Sequence, residues 1–339
     1  MSTMTSVPDA LARARDAAHP TMVAAVARLN PELRRIAAYH LGWCDEHGAP
    51  SARAGGKGVR PALATLSAEA AGADADAGVP GAVAVELVHN FSLLHDDVID
   101  GDRERRHRPT VWALYGIGPA VLVGDALLTL GHQILLEHGR AGAAASAELT
   151  DAVAGMIGGQ ADDMAFEGRA DVSTEECLGM VAGKTGALLS CAAAIGAVLV
   201  GAPTAVADSL RSYGAHLGVA FQAVDDILGI WGDPERTGKP RGNDLSTRKK
   251  SLPVVFALDA GDRHLADELR RLLLNGPLDA DAVTRATELV EDCGARHATE
   301  ALARDHLDAA CRSLDGAGLA ATACAELADL ARFVVEREF

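Results

Sequence analysis

Apolar residues recur three and four positions apart along most of the chain, and this period predicts helices rather than strands. The first such run spans about Thr21 to Leu41. A Gly- and Pro-containing loop over 48–58 follows, after which Pro61 is suited to open the next helix. A second break over 72–81 precedes a helix that ends at Arg103 to Pro109. Further helical stretches cover Ala113 to Glu137, Ala147 to Glu167, Thr174 to Val200 and Thr204 to Trp231. Residues 232–253 are polar and carry Gly and Pro, which predicts a loop, and 254–339 read as amphipathic helices. Val-rich alternating segments flanked by hairpin turn pairs are absent, so the expected fold class is all-α. No low-complexity linker or shift of composition divides the chain, which is read as one domain over 1–339 with a flexible lead-in over 1–20.

Two Asp pairs break the apolar pattern, at Leu94-His95-Asp96-Asp97-Val98-Ile99-Asp100 and at Phe221-Gln222-Ala223-Val224-Asp225-Asp226-Ile227-Leu228. Carboxylates in apolar helices are costly unless a cation compensates them. Asp96 and Asp100, four apart, project from one helical face, and an oxygen-only ligand set without nearby Cys favours a hard ion such as Mg2+. A polyanion bridged by metal between two helices is the natural reading. Taken singly, an Asp pair is more often a helix cap or part of a solvated face. Here both pairs lie inside helices and both are followed by cations: Arg103, Arg105, Arg106 and Arg108 after the first, Lys239, Arg241, Arg248, Lys249 and Lys250 after the second.

Composition narrows the classes. Of the 339 residues 49% are apolar but only 4% aromatic, which suits closely packed helices rich in small residues. A formal net charge of -16 argues against a nucleic-acid partner, because binding a phosphate backbone needs clustered excess positive charge. The six cysteines have no metal-ligand spacing and are read as reduced core thiols. Met1 to Asp16 lacks the pattern of a signal peptide, and no segment is expected to supply the ~18 uncharged apolar residues of a membrane span. The expectation is a soluble, cytoplasmic protein.

The span from Val85 to Asp100, with His89, Phe91 and the Asp cluster, followed by Arg105-Arg106 and Arg108-Pro109-Thr110, resembles the first aspartate-rich motif of the trans-type isoprenyl diphosphate synthases, or polyprenyl synthetases. Supporting landmarks extend from about residue 50 to 255. The resemblance implies a single large helical bundle of the isoprenoid synthase type with a central apolar cavity, commonly homodimeric. It implies a Mg2+-dependent condensation of isopentenyl diphosphate with an allylic diphosphate, in which the metals and fixed cations stabilise charge on the departing pyrophosphate. The metal ligands carried over are Asp96, Asp97 and Asp100 on one helix and Asp225 and Asp226 on another that faces it. Lys184, Thr185, Gln222, Lys239, Lys249 and Arg105 match positions for the allylic diphosphate, with Lys184 and Lys239 counted among the catalytic residues. Lys57, Arg60, His89 and Arg106 match the pocket for isopentenyl diphosphate. Gln160 and Asp163 match a family Gln-x-x-Asp motif with an outer, supporting role. Two positions depart from the family pattern: Gly229 stands where the second cluster commonly ends in Asp, and Gly58 where the glycine-rich loop often has Arg.

Phe91 lies five residues before Asp96, about 7.5 Å along the helix axis, where its bulk can floor an apolar tunnel for the growing chain, while Ser92 is small. An aromatic at the first of these positions only, with no insertion between the aspartates, resembles geranylgeranyl-type enzymes, so geranylgeranyl diphosphate is the expected main product. The same reaction stopping at farnesyl diphosphate, or running to longer chains, is the alternative. A terpene cyclase or a non-catalytic accessory subunit on the same fold is a second alternative, and a di-iron bundle, suggested by Glu86-x-x-His89, lacks the second such motif it needs.

Overall fold

The structure, a computed structural model, describes residues 6–51, 56, 58–169, 171–234, 240–260, 262–274, 278–316 and 318–336. It is all-α as expected: among the described residues the only strands are β1 (Glu104–Arg105) and β2 (Arg108–Pro109), a two-residue antiparallel hairpin. The chain forms two compact units. One comprises Met1–Val153, Cys191–Arg211 and Leu314–Asp329, the other Ala154–Ser190, Ser212–Ser313 and Leu330–Phe339.

The first unit is built from α1 (Val7–Val26), α2 (Pro31–His40), α3 (Val59–Ala70), α4 (Val79–Ile99), α5 (Val111–Tyr115) and α6 (Ile117–Leu136), with parts of later helices. α4 is its centre and packs against α6, α3 and α1. Ala82 to Val85, Leu87, Val88 and Leu94 of α4 are wholly buried. Small residues let backbones approach: a Cβ on Gly81 would lie 2.7 Å from Ile195, and the Gly196 N–H donates to Ser67 Oγ at 2.9 Å. This is how a core poor in aromatics fills its space.

The chain start differs from expectation. Helix α1 begins at Val7, capped by Ser6, and buries Ala10, Leu11, Ala14 and Ala18. Residues 7–20 are therefore packed helix, not a flexible lead-in. The 113–137 stretch is likewise two helices, separated at Gly116, whose φ of 92° only glycine adopts readily.

The second unit contains the later half of α7 (Gly139–Glu167), α8 (Thr174–Val181), the start of α9 (Ala187–Leu199) and the later part of α10 (Thr204–Trp231). It also holds α11 (Asn243–Ser246), α12 (Leu252–Leu258), α13 (Arg263–Leu274), α14 (Ala280–Asp292), α15 (Ala295–Ser313) and the end of α16 (Ala321–Glu336). Ile230, Leu245, Val254, Leu269, Leu273, Leu289 and Val290 form one of its apolar clusters.

One expectation is corrected by helix content. Three helical segments, Ala75–Ile99, Ile117–Leu136 and Thr174–Leu199, are long and apolar enough to cross a membrane by length and composition, with 61%, 44% and 61% of the relevant windows buried within the protein. All-round hydrophobicity is a property that core helices and membrane spans share.

Candidate active site

Consecutive residues on a helix point about 100° apart, and the two Asp pairs use this in the same way. In the first pair Asp97 is 2% exposed and accepts a 2.7 Å hydrogen bond from Arg105 Nε, whereas Asp96 is half-buried and Asp100, at the C-cap of α4, is exposed. Burial raises the Asp97 carboxyl above its ordinary value, opposed by Arg105. In the second pair Asp226 is 2% exposed, accepts from Gln222 Nε2 at 2.8 Å and from the Leu252 N–H at 2.9 Å, and lies 3.8 Å from Lys249 Nζ. Asp225 is exposed. Burial pushes Asp226 up to about 6, and the surrounding carboxylates raise Lys249.

Arg105 is aimed by the β1–β2 hairpin. Its turn residues Arg106 and His107 have φ of 53° and 58°, the paired left-handed conformation of a tight two-residue hairpin loop, here without glycine. The hairpin is anchored at its base: Arg108 donates to the carbonyls of Tyr39 and Cys44 and stacks over the Tyr39 ring at 4.2 Å, while Thr110 Oγ1 and Trp112 Nε1 both donate to the Asp102 carbonyl. A cavity of about 430 Å3 opens beside it, lined by Asn90, Leu93, Asp97, Arg105 and Arg106.

A smaller cavity of about 110 Å3 is lined by Arg15, His40, Gly56, Gly58, Glu86 and Arg106. Around it the polar groups are poorly solvated. Burial lowers Arg60 and raises Glu86, each offset by the other's charge. Burial, then Arg60 and Arg106, hold His89 well below the usual imidazole range, and His40 is lowered to about 3 by burial and by Arg105 and Arg106. Arg60 Nε and His40 Nε2 are buried polar atoms with no hydrogen-bond partner among the described residues. Such atoms are rare in folded proteins and mark a place where a ligand or water completes the set. Gly58 has φ of 79°, and a Cβ there would lie 2.6 Å from Arg15 Cγ, so the Arg15 side chain occupies the ground beside the glycine loop.

In the second unit, Lys184 and Thr185 lie in a single π-helical turn, Ala182–Gly186, of the kind often found at functional sites. Lys184 Nζ donates to Asp163 Oδ2 at 2.5 Å, and Thr185 Oγ1 donates to Gln222 Oε1 at 2.6 Å. Thr185, Gln222 and Asp226 thus form one chain of hydrogen bonds. The turn is admitted by close glycine contacts, with a Cβ on Gly218 only 2.6 Å from Gly186 Cα. Gly229 is explained by its neighbour: a Cβ there would overlap the buried Asp244 carboxylate.

Arg60, Glu86, His89 and Arg106 are brought together electrostatically, as are Gln222, Asp226 and Lys249. Lys57 and Lys239 lie outside the described residues. The sequence pattern did not single out Arg15, His40 or Asp244. Arg15 and His40 carry no motif and reach the site only through the packing of α1 and α2. Glu86 was visible as an acid inside an apolar run. Among the described residues no three His, Cys, Asp or Glu side chains converge as a metal cage. Mg2+ ordinarily needs only one or two carboxylates together with water and substrate phosphates, so the oxygen donors of half-buried Asp96 and exposed Asp100 in the first unit suit such an ion, and so by itself does exposed Asp225 in the second.

Comparison with known proteins agrees with this chemistry. The polyprenyl synthetase family model matches residues 42–290. The crystal structure of a polyprenyl synthetase from Streptomyces coelicolor A3(2) superposes with a TM-score of 0.92 at 50% identity, covering 97% of this chain and 100% of that one. The (2E,6E)-farnesyl diphosphate synthase of Mycobacterium tuberculosis is 48% identical over 94% of this chain and 90% of its own length. The geranylgeranyl diphosphate synthase of the same organism is 41% identical over 91% and 88%. The chain belongs to the polyprenyl synthetase family, the trans-type isoprenyl diphosphate synthases. As a member it is a polyprenyl synthase, an enzyme of prenyl transfer.

Proposed function

We propose that this protein condenses isopentenyl diphosphate with dimethylallyl, geranyl or farnesyl diphosphate, in a Mg2+-dependent reaction, to give mainly geranylgeranyl diphosphate. The observation that carries the reading is the division within each Asp pair: a first aspartate that is more accessible, half-buried Asp96 or exposed Asp225, and a buried second one that holds a cation in place. Asp96, Asp100 and Asp225 serve as the metal-facing carboxylates. Asp97 and Asp226, carried over as ligands by the family motif, act by fixing Arg105 and Lys249. The divalent ion, when bound, supplies positive charge to the pyrophosphate oxygens as the allylic C–O bond breaks.

The remaining roles belong to the chain. Arg105, Lys184, Lys239 and Lys249 bind the departing diphosphate, with Thr185 and Gln222 orienting Asp226. Lys57, Arg60, His89 and Arg106 hold isopentenyl diphosphate, which binds but does not ionise. Its double bond attacks the allylic carbon, a C–C bond forms, and the proton lost from the adduct passes to the departing pyrophosphate, so no dedicated carboxylate base is required. Apolar walls keep water from the cation.

Phe91 supports the geranylgeranyl product: it is buried, while Ser92 is partly exposed and its hydroxyl is occupied by the His89 carbonyl at 2.8 Å. The 48% identity to a farnesyl diphosphate synthase favours a second reading, termination at farnesyl diphosphate. Incubating the pure protein with isopentenyl diphosphate and each allylic starter, then measuring chain length, tests both. Geranylgeranyl diphosphate from all three starters is expected. Farnesyl diphosphate that accumulates and is refused as a starter overturns the first reading in favour of the second.

The proposal includes a homodimer and a cytoplasmic location. Ile117 and Leu122 on α6, 57% and 58% exposed, support a second copy as partner, and the six free thiols suit a reducing compartment. Sedimentation of the pure protein as a monomer at micromolar concentration would count against the dimer.

A further inference from the structure

His95, immediately before the first aspartate, joins α4 to α6. Its ring meets the Phe91 ring edge-on, with centroids 4.7 Å apart and planes at 67°. The two residues are four apart and so share a helical face. On its other side Nε2 lies 3.2 Å from the Val121 carbonyl of α6. A carbonyl oxygen only accepts, so Nε2 carries the proton and donates. The Asp125 carboxylate is 3.7 Å from the same nitrogen. Gly124, one turn along α6, makes room for the ring: a Cβ there would overlap imidazole Nε2 and Cδ2. Gly124 lies within the helix and no turn requires a glycine at that point, so its lack of a side chain is explained by the imidazole it accommodates.

We propose that His95 is a positioning residue for product length: pinned to α6 by the Val121 carbonyl and admitted by Gly124, it fixes the Phe91 ring and with it the depth at which the growing prenyl chain stops. This rests on the reading of Phe91 as the floor of the tunnel. A phenyl ring on a helix has more than one staggered χ1 position, and a neighbouring ring anchored to a second helix selects one of them. Specificity for chain length then resides in a stack of Phe91, His95 and Gly124 rather than in one aromatic.

Product distribution tests this independently of rate, because each reaction supplies its own ratio of longer to main product. Phe91→Ala raises that ratio by at least about tenfold, the discrimination that small changes of fit in an apolar pocket provide. His95→Ala shifts it in the same direction. The double variant makes product no longer than Phe91→Ala alone, since His95 acts only through Phe91. Gly124→Ala, which pushes the imidazole off α6, also changes the distribution, and it carries the test should His95→Ala not fold. Wild-type distributions from His95→Ala and Gly124→Ala, in the presence of a lengthening Phe91→Ala effect, overturn the proposal and leave the floor in place, as does full additivity in the double variant. An unchanged distribution in Phe91→Ala removes the floor itself.

Discussion

The Asp244 carboxylate occupies the space that a side chain on Gly229 would fill. The second acidic motif therefore has a carboxylate where its usual last aspartate is missing, supplied from α11 instead of from the next turn of α10. Restoring the family residue should harm the enzyme. Gly229→Asp forces two carboxylates into one place, and overpacking of this kind costs about 1–3 kcal/mol. We expect a lowered thermal midpoint and metal-dependent turnover reduced by about tenfold or more. Turnover equal to or above wild type in Gly229→Asp would contradict the arrangement.

The paired aspartates should separate in mutagenesis. Asp226→Ala takes the acceptor from Gln222 Nε2 and from the buried Leu252 N–H, and each donor left unsatisfied in this way costs about 1–3 kcal/mol. Asp225→Ala removes an exposed side chain, and surface changes usually stay within about 0.5 kcal/mol. Denaturant titration should therefore find Asp226→Ala strongly destabilised and Asp225→Ala near wild type. Turnover should be lost in both.

His40 and His89 give the protein an acid-labile region. Burial and the nearby arginines hold both imidazoles below their unfolded value of about 6.5. The unfolded chain thus binds more protons than the native one below that pH. Their contribution is fully present above pH ~6.5 and is lost as pH falls, at about 1.36 kcal/mol per pH unit for each proton taken up only on unfolding. Asp226, raised to about 6, has the opposite sign between about pH 4 and 6, so the informative quantity is a difference. A His40→Gln/His89→Gln variant should lose less stability than wild type between pH 6.5 and 5. Parallel curves would show that the two histidines titrate normally.

Arg15 lines the cavity proposed to take isopentenyl diphosphate. Its stem lies over Gly58 and it lines the same cavity as Arg106. Hydrogen bonds to charged groups contribute about 1.5–3 kcal/mol, so Arg15→Met should raise KM for isopentenyl diphosphate by about tenfold or more while leaving KM for the allylic substrate unchanged. Equal changes in both constants would place Arg15 elsewhere.

The long helices were legible because their apolar period runs unbroken: Thr204–Trp231 has the bounds that the pattern gives. Both Asp motifs were legible because charge inside an apolar helix is conspicuous. The missing parts share one physical cause. Helix α1 was overlooked before Thr21 because its buried face is mostly alanine, which carries a weak apolar signal. Arg15, His40, Asp244 and the His95–Gly124 contact depend on which helices meet, and periodicity within one helix contains no such information. The division between Asp97 and Asp96, by contrast, follows from helical geometry alone once the buried face of α4 is known.

Metal-assisted departure of pyrophosphate, followed by capture of isopentenyl diphosphate, is the proposed reaction. Incorporation of labelled isopentenyl diphosphate into prenyl product, measured with Mg2+, with chelator, and in Asp96→Ala and Asp225→Ala, tests it most directly. Incorporation is expected only in the wild-type protein with metal and an allylic starter both present. Incorporation that persists under chelator, or an allylic diphosphate consumed to a product that contains no label, would contradict it.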